Sequence, residues 1–422
     1  MALVLVAGAW GASPPEPHKR HLPNGMRVVV QGNDHTGTVV MAALVRVTVL
    51  HEARGTPGLR RLVHGLVARG ECCEAAIAAA GARVQLSVAP DYVELVLAAP
   101  AESRDQCAGL MRRMLFAPRF TQEALDSERA QVMHSIAART QLPAGYALAS
   151  FYERLYPGVG AGDAASGEPA KLAAVTLEEV ARFHGRHYLP NETVIAVSGG
   201  VDGAAAMDAV AAAMGSVLPG AAVQEALEPL PSAPGVTRLR GSWGTSVYVV
   251  GGRGVSLDAV TYPAAAVGFT ALSSGMDSRL YRALRIERSL AYSIAGELTP
   301  SARVPSAFVL VTCDPQRLDE VVAVVDGEIT RLGAEPLGAS ELQRAKRYLI
   351  GRHALRRQRN HEIAHYLAMF ELLGGPQGYR RDGELAGEIA AVNAAEVADA
   401  MRQIFAPRWA VRLEGRQAAD AG

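Results

Sequence analysis

Two stretches of this 422-residue chain, separated by about half its length, have the same pattern. Residues 175–197 (VTLEEVARFHGRHYLPNETVIAV) and 392–413 (VNAAEVADAMRQIFAPRWAVRL) align at an offset of 217 positions. In each copy a polar start precedes an amphipathic helical pattern, a proline ends it, and a β-rich run follows. Two further pairs of residues keep this offset: Gly58 with Gly275, and Leu125 with Leu342. The chain is therefore predicted to consist of two homologous halves of roughly 200 residues.

The order of elements in each half predicts an α+β fold. Each half begins with strand-like runs, continues through a helix opened by a glycine and further strands, and closes with two long helices and a strand. Such an order is typical of a mixed β-sheet with helices packed on one face. The Pro-rich run at 227–235 (LEPLPSAPG) is predicted to join a first half at 17–226 to a second half at 236–422.

The composition is that of an ordinary globular protein. Hydrophobic residues make up 49% of the chain and charged residues 20%, which suits two domains. The 42 basic and 42 acidic residues balance, so the chain as a whole lacks the basic excess of a nucleic-acid-binding protein. Only three of the basic residues are lysine, a bias that suggests a GC-rich bacterial gene.

The first residues, MALVLVAGAWGAS, are apolar and end in small residues, like a signal peptide that lacks its basic start. Residues 1–16 are therefore expected to be a signal-like segment of a periplasmic protein, with a cytoplasmic protein as the alternative. No other stretch approaches the roughly 20 apolar residues that cross a bilayer. The cysteines lack metal-ligand spacing and are expected to be buried or incidental thiols: Cys72, Cys73, Cys107 and Cys313.

Several motifs, in order along the chain, resemble the pitrilysin/insulinase family, the inverted-motif zinc peptidases that include mitochondrial processing peptidase. LPNGMRVVV is similar to the family's opening strand, GTPGLRRLVHGLVARG to its active-site helix, and ERAQVMHSIAARTQLP to the helix with its last zinc ligand. SSGMDSRLYRALRIERSLAYSI and ELQRAKRYLIGRHALRR resemble its second-half signatures. The resemblance runs from His18 to Gly415 and implies that the two halves form half of a clam-shell chamber.

The family holds zinc with HxxEH and with a glutamate on a later helix, seven residues after another glutamate. In this chain the three ligand positions hold Arg61, Gly65 and Ser135, and the position of the base holds His64. The earlier glutamate is kept as Glu128. Arginine offers no lone pair, glycine has no side chain, and serine is a poor zinc ligand. The resemblance therefore implies a degenerate site and no metal or cofactor in this chain. His64 and the nearby His134 alone would make a weak site.

The segment LRIERSLAY contains Arg285 and Tyr292 seven residues apart. The resemblance implies that family members acting on peptides use such a pair, which reaches across the chamber to the zinc site in the other half. There the guanidinium and the phenol would bind the substrate carbonyl and stabilise the oxyanion. The alternative is an ordinary surface ion pair for Arg285 and a core position for Tyr292.

Some bacterial relatives are heterodimers in which one subunit carries HxxEH and the other contributes the Arg–Tyr pair. Because this chain has the second profile, we expect a homologous HxxEH-containing partner that holds the zinc, and an unfolded peptide as substrate. The family binds peptides by adding a strand to a sheet edge. By position that edge is residues 82–88 here, and productive binding should use the partner's edge instead. Two roles fit such a heterodimer: processing of a small peptide precursor, such as that of pyrroloquinoline quinone, and general peptide clearance. A purely structural subunit is the alternative function.

The run HEIAH offers a third hypothesis, an independent zinc enzyme. His361 and His365 would lie one helical turn apart with Glu362 between them as base, and Glu384 follows nineteen residues later as a possible third ligand. The run lies on a helix predicted from Ala339 to Leu373. Apolar residues recur there at helical spacing, so we expect a core helix: Ile363, Leu367, Phe370 and Leu373.

Two further patterns are expected to carry no site. His184 and His187 lie three residues apart at a helix end next to Pro190, where exposed histidines are common, and Glu178 and Glu179 lie one to two turns before them. Metal binding is not expected there. The loop at 158–167 (GVGAGDAASG) lacks the preceding strand and the lysine of a phosphate-binding loop.

Overall fold

The computed structural model describes residues 16–33, 36–52, 55–69, 71–159, 167–222, 233–375 and 377–416. The predicted signal-like segment, most of the predicted join at 227–235 and most of the loop at 158–167 lie outside the described residues.

The first half builds a mixed sheet from six described strands. They are β1 (His18–His21), β2 (Arg27–Gly32), β3 (Thr38–Val45), β4 (Arg83–Val88), β5 (Val93–Pro100) and β6 (Thr193–Gly199). Their order across the sheet is β1-β2-β6-β3-β5-β4, and only β2 and β6 run parallel. The helices are α1 (Leu59–Val67), α2 (Glu71–Ala79), α3 (Arg104–Phe116), α4 (Gln122–Thr140), α5 (Pro143–Leu155), α6 (Pro169–Ala173), α7 (Leu177–His187) and α8 (Gly203–Met214).

The second half repeats this plan with five described strands. They are β7 (Gly235–Arg240), β8 (Ser246–Arg253), β9 (Ala291–Thr299), β10 (Ser306–Cys313) and β11 (Trp409–Glu414), in the order β7-β11-β8-β10-β9. Only β7 and β11 run parallel. The helices are α9 (Tyr262–Ser273), α10 (Leu318–Ala334), α11 (Ala339–Arg356), α12 (Asn360–Leu373), α13 (Arg381–Ala391) and α14 (Ala394–Phe405), and a π-helical segment spans Tyr281–Ile286.

The predicted duplication is visible in how the helices begin. The N-cap residues of α7 and α14, Thr176 and Asn393, are 217 positions apart, and each forms a reciprocal capping box with the glutamate three residues later. The N-cap residues of α4 and α11, Thr121 and Gly338, keep the same offset. Two homologous α+β halves are therefore confirmed.

The pairing of Gly58 with Gly275 is wrong. Both glycines have a positive φ, but Gly58 precedes α1, whereas Gly275 follows α9, the helix that occupies the place of α1 in the second half. In the parts that precede α4 and α11, the connecting segments of the two halves differ in length. The π-helical segment of the second half also takes the place of α2. The offset of 217 therefore holds only from α4 and α11 onward.

Both faces of each sheet are buried. Successive residues of a strand point to opposite faces, so neighbouring residues belong to different cores. Val30 of β2 faces a core shared with α1, α3, α4 and α8, whereas its neighbour Val29 faces a core shared with α12. In the second sheet Val250 faces α9, α10 and α14, whereas Val249 faces α5. Each half therefore packs its own helices on one face of its sheet, as predicted, and one helix from the other half covers the opposite face.

The two halves thus exchange a helix. α5 of the first half packs on β8 and β11, and α12 of the second half packs on β3 and β6. Phe151 of α5 and Phe370 of α12 are among the largest fully buried side chains, and each such burial contributes roughly 1.5–3 kcal/mol. The prediction of one helix from Ala339 to Leu373 is wrong, because a turn at 357–359 separates α11, which stays with its own half, from α12, which crosses.

A buried carboxylate ties the crossing helix α12 to strands β1 and β2. Glu371 is fully buried, and its Oε1 lies 2.5 Å from Lys19 Nζ and 3.6 Å from Arg27 Nη1. Arg27 Nη1 also donates to the Glu371 carbonyl at 2.8 Å. Burial lowers the pKa of Arg27, and the charge on Glu371 offsets part of that shift. Because a buried charge without its partner costs several kcal/mol, this cluster fixes how the halves dock.

Three described cysteines are buried thiols outside any disulfide, as expected: Cys73, Cys107 and Cys313. The side chain of Cys72 lies outside the described residues. Within the described ranges, no helix combines the length and apolarity needed to cross a membrane.

Replacement of Glu371 by alanine should lower the free energy of unfolding by about 3–5 kcal/mol, because Lys19 and Arg27 lose their buried partner. Urea denaturation followed by circular dichroism measures this change. Glu320→Ala is the matched control, since it removes an exposed ion pair with Arg317 and should cost less than about 1 kcal/mol. Equal losses in the two variants would contradict a structural role for the buried cluster.

Candidate functional site

Helix α1 carries the positions at which the family binds zinc, and its start is firmly anchored. The buried carboxylate of Glu52 accepts hydrogen bonds from the backbone N–H groups of Gly58 at 3.1 Å and Arg60 at 2.9 Å. An acceptor at this end of a helix satisfies orphan donors and complements the helix dipole. The helix and its fold context are therefore kept even though its ligands are not.

Helix α4 fills the space that a second ligand on α1 would need. A Cβ atom at Gly65 would lie 2.0 Å from Oε1 of Glu128, so no larger side chain fits unless Glu128 moves. Glu128 is itself buried and forms an ion pair with Arg69. The retained glutamate has thus become a packing and charge partner of α1.

The remaining ligand positions offer no metal donor. Ser135 donates its hydroxyl hydrogen to the carbonyl of Val132 at 2.7 Å, within its own helix. Arg61 is partly buried, and burial lowers the pKa of its guanidinium. Over the described residues, no group of three or more His, Cys, Asp or Glu side chains could hold a metal ion. The residues present therefore do not fit the zinc that the family's fold would carry here.

His64, at the position of the family's catalytic base, belongs to the core. It is 1% exposed, its Nε2 donates to the carbonyl of Glu94 at 2.7 Å, and its Nδ1 lies 3.2 Å from the hydroxyl of Tyr188. Burial lowers the pKa of His64 to about 4, so the ring is neutral at pH 7. His134 is exposed on α4, and the weak two-histidine site is not formed.

The HEIAH run lies on α12, which packs on the face of the first sheet that the first half's own helices do not cover, as expected of a core helix. His365 Nδ1 pairs with Glu94 Oε1 at 2.7 Å, and Glu94 Oε2 accepts a hydrogen bond from Ser87 Oγ at 2.8 Å. Glu362 pairs with Arg359 at 3.1 Å, away from any catalytic arrangement. The pair of His365 and Glu94 therefore joins the two halves.

The protonation states of this pair depend on each other. Burial alone would lower the pKa of His365, but the hydrogen bond and the charge of Glu94 raise it overall. Burial alone would raise the pKa of Glu94, but the bond and charge of His365, with the bond from Ser87, lower it overall. Each partner therefore favours the charged form of the other.

The histidines at the end of α7 are buried, and the expectation that they are exposed is wrong. His184 Nε2 bonds to the carbonyl of Leu115 at 2.9 Å, and the ring of His187 stacks on His51 with 4.2 Å between centroids. Burial lowers the pKa of His184 to about 4. Burial, with the nearby His51 and Arg186, lowers the pKa of His187 to about 3. Packing of α7 against α1 and α3 explains why a helix end beside a proline is not solvated.

Arg285 and Tyr292 lie together at the start of the edge strand β9. Arg285 lies in the last turn of the π-helical segment, and its Nη1 donates to the carbonyls of Ala291 at 2.5 Å and Tyr292 at 3.1 Å. Tyr292 is 56% exposed and is the extra residue of a β-bulge, because Ser293 pairs with Thr312 and Ala291 with Cys313. The alternative of a surface ion pair and a core tyrosine is wrong.

The connection between them is strained. Ser289 has a φ of 51°, which makes it the one non-glycine residue in the left-handed region among those the structure describes. Such a conformation costs roughly 1–2 kcal/mol for a residue with a Cβ atom. Bulges and π-helical turns are common where a side chain must be aimed at a functional site. The geometry therefore keeps Arg285 beside Tyr292 although the backbone at Ser289 is strained.

The two halves present equivalent sheet edges. β4 is the edge strand of the first sheet, where the strand-addition edge at 82–88 was predicted, and β9 is the edge strand of the second. An edge strand offers unpaired backbone groups to an extended peptide.

Helix α11 and the turn after it concentrate positive charge. Residues 343–359 (QRAKRYLIGRHALRRQR) contain seven basic residues and no acidic residue. The zero net charge of the whole chain hides this concentration, which a windowed charge profile would have found.

Comparison with known proteins agrees with this geometry. Residues 174–349 match the family model described as "Peptidase M16 inactive domain". A crystal structure of a peptidase M16 inactive domain from Pseudomonas fluorescens superimposes with a TM-score of 0.87, at 18% identity, over 96% of this chain and 99% of that one. The chain is therefore similar to the peptidase M16 family over residues 174–349, and its fold is that of the M16 structure. M16 is the pitrilysin/insulinase family that the sequence motifs resemble.

Other M16-like proteins match over most of their length. A protein of Streptomyces coelicolor named an uncharacterized zinc protease is 23% identical over 414 residues, which cover 93% of this chain and 88% of that relative. The crystal structure of a protease from Helicobacter pylori gives a TM-score of 0.83 at 15% identity, over 94% of this chain and 99% of that one. These neighbours confirm the clam-shell type of α+β fold. These relatives are bacterial proteins, and at the family's three zinc-ligand positions this chain carries Arg61, Gly65 and Ser135.

Elemental analysis of the chain purified alone should find far less than one zinc per chain, below about 0.1, because no complete ligand set exists among the described residues. His361→Ala should leave that value unchanged. A stoichiometric zinc that disappears in His361→Ala would instead identify HEIAH as a metal site.

The contact of His365 with Glu94 should stabilise the fold most in mildly acidic solution. Because the pKa of His365 is raised on folding, its contribution is complete below the unfolded value of about 6.5 and is lost as the pH rises through the folded value. Because the pKa of Glu94 is lowered, the contribution of Glu94 is complete above its unfolded value and is lost as the pH falls through the folded value. His365→Gln should therefore cost about 1.5–3 kcal/mol near pH 5.5 and less near pH 9.

Denaturation midpoints of the wild type and His365→Gln at the two pH values measure this difference. His134→Gln, at an exposed histidine of α4, is the matched control and should show no such pH dependence. A loss that does not vary with pH would mean that the contact is not charged.

Proposed function

We propose that this chain is the non-zinc-binding subunit of a heterodimeric M16 metallopeptidase. A homologous subunit with an intact HxxEH would supply the zinc and the general base, and this chain would complete the chamber around an unfolded peptide. The observation that carries the proposal is the contrast between the halves. The ligand positions of the first half are filled or replaced, whereas Arg285 and Tyr292 of the second half lie exposed and side by side.

The chemistry of the pair suits a developing negative charge. A guanidinium and a phenol both donate hydrogen bonds that strengthen as a carbonyl oxygen becomes an oxyanion. Arg285 uses only Nη1 for its bonds to the described backbone, so Nη2 and Nε can reach another acceptor. We therefore assign both residues to the binding of the substrate carbonyl and the stabilisation of the oxyanion at the partner's zinc site.

The peptide in this proposal is held as an added strand. An edge strand bonds to peptide backbone with little demand on sequence, which suits an enzyme that acts on unfolded chains. Productive binding uses the partner's edge, because the ligand positions beside β4 in this chain are lost. The signal-like segment 1–16 favours a periplasmic pair, with a cytoplasmic pair as the alternative.

A purely structural subunit is the second candidate function. The observation that favours it is that Arg285 already bonds to the backbone of Ala291 and Tyr292 and so helps to shape the start of β9. A scaffold needs this local structure but does not need the tyrosine hydroxyl. Tyr292→Phe therefore separates the two functions, since it removes only that hydroxyl.

The test uses the reconstituted pair, made by co-expressing this chain with the HxxEH-containing subunit encoded in the same genome. Arg285→Ala and Tyr292→Phe should each lower kcat about ten- to a thousand-fold on a quenched fluorescent peptide, because an oxyanion donor acts mainly in the transition state. Arg282→Ala, in the same π-helical segment, removes an exposed arginine and is the matched control. Unchanged turnover in both variants, with the heterodimer intact, would assign the chain to the structural role.

A further inference from the structure

Helix α11 exposes a face that is rich in arginine. Four arginines, one tyrosine and one leucine form this face, which we call the basic face: Arg344, Arg347, Tyr348, Arg352, Leu355 and Arg356. They recur at three-, four- and seven-residue spacings, so they lie on one side of the helix. The surface combines positive charge with exposed apolar area.

The arginines of the basic face are not neutralised by the protein itself. The other basic residues of this stretch have partners, since Lys346 donates to the carbonyl of Ala390 at 2.7 Å and Arg357 and Arg359 form ion pairs with Asp382 and Glu362. In contrast, no carboxylate of the described residues forms an ion pair with the four arginines of the basic face. Four unpaired guanidinium groups on one helix face create a field that attracts anions.

Aromatic rings hold two of these arginines in place. The guanidinium of Arg352 lies 5.9 Å from the centroid of the Tyr348 ring, and that of Arg356 lies 5.2 Å from the centroid of Tyr366. Stacking of this kind restrains the guanidinium plane and leaves its N–H groups available for carboxylates. Beside them Leu355 is 62% exposed and can contact an apolar side chain.

The basic face continues into the segment that carries Arg285. Arg279, just before the π-helical segment, forms a two-bond ion pair with Glu341 of α11, at 2.7 and 3.0 Å. A Cβ atom at Gly275 would lie 3.4 Å from the Tyr348 ring, so these two residues are in contact. These contacts join α11 to the segment that precedes Arg285.

The duplication gives the basic face a counterpart in the first half. Arg352 lies 217 positions after Ser135, within the range where this offset holds. The helix side that bears the lost third ligand in the first half thus bears arginine and tyrosine in the second. This correspondence makes the basic face the second half's equivalent of the surface around the lost zinc site.

We propose that the basic face binds an acidic segment of the peptide substrate, with Leu355 and Tyr348 contacting apolar side chains between its carboxylates. This inference rests on the proposed function, because Arg285 and Tyr292 define where the cleaved bond lies. Arginine matches a carboxylate with two parallel hydrogen bonds, which gives selectivity that strand addition alone does not supply. The substrates are therefore extended peptides that carry acidic and apolar residues at a distance from the cleaved bond.

Direct binding to the isolated chain tests this inference without the partner subunit. The probe is a fluorescein-labelled, unstructured peptide of about 15 residues, which spans the helix face at roughly 3.3 Å per residue. It contains glutamate, leucine and serine, and a second probe has lysine in place of every glutamate. Fluorescence anisotropy should show binding of the acidic peptide alone, weakened several-fold between about 50 and about 300 mM salt.

The double variant Arg347→Glu/Arg352→Glu should raise the dissociation constant of the acidic peptide roughly ten-fold or more. Arg182→Glu/Arg240→Glu is the matched control, because it makes the same charge change at exposed arginines on α7 and β7. Circular dichroism checks that both variants are folded. Equal weakening in the two variants, equal binding of the lysine peptide, or no binding at all would overturn the inference.

A single-stranded oligonucleotide of similar length provides a further outcome. Tighter binding of the oligonucleotide than of the acidic peptide, lost in Arg347→Glu/Arg352→Glu, would assign the basic face to nucleic acid. The two proposals also fail separately. If turnover depends on Arg285 but binding at the basic face does not depend on the charge of the peptide, only the inference about the substrate fails. If turnover is independent of Arg285 and Tyr292, the proposed function fails.

Discussion

The exchange of helices α5 and α12 is the constraint on which the rest of the structure depends. Each sheet is apolar on both faces, and its own half covers only one of them. The second face is covered by a helix that the other half supplies, so neither half could bury its sheet alone. The ion pairs of Glu371 and of His365 then fix where α12 lies. The position of Arg285 relative to the lost zinc site follows from this docking.

The sequence was informative wherever local chemistry determines structure. The polar starts of the two repeated helices, the strand-like run that opens the first half and the spacing of apolar residues in α12 predicted elements that the structure contains. The path of α12 was not predictable, because its apolar face is equally compatible with either sheet. The turn at 357–359 was not predictable for the same reason, because the chain needs it only where α12 crosses to the other half.

The candidate site shows the same division. The chemistry of Arg61, Gly65 and Ser135 predicts that the family's zinc-ligand set is incomplete, because none of them is a competent ligand. That His64 would enter the core and bond to Glu94 depends on β5, which is distant in sequence. The exposure of Tyr292 depends on a bulge against β10, and a single sequence gives little warning of a bulge.

The contact between Gly65 and Glu128 bears on whether the lost site could return. A histidine at position 65 would meet the glutamate carboxylate at its first side-chain atom, so the ligand could be regained only after Glu128 had moved. Movement of Glu128 would in turn leave Arg69 without its partner in a half-buried position. Regaining a ligand at position 65 therefore requires more than one change, because Glu128 and its ion pair with Arg69 must rearrange as well.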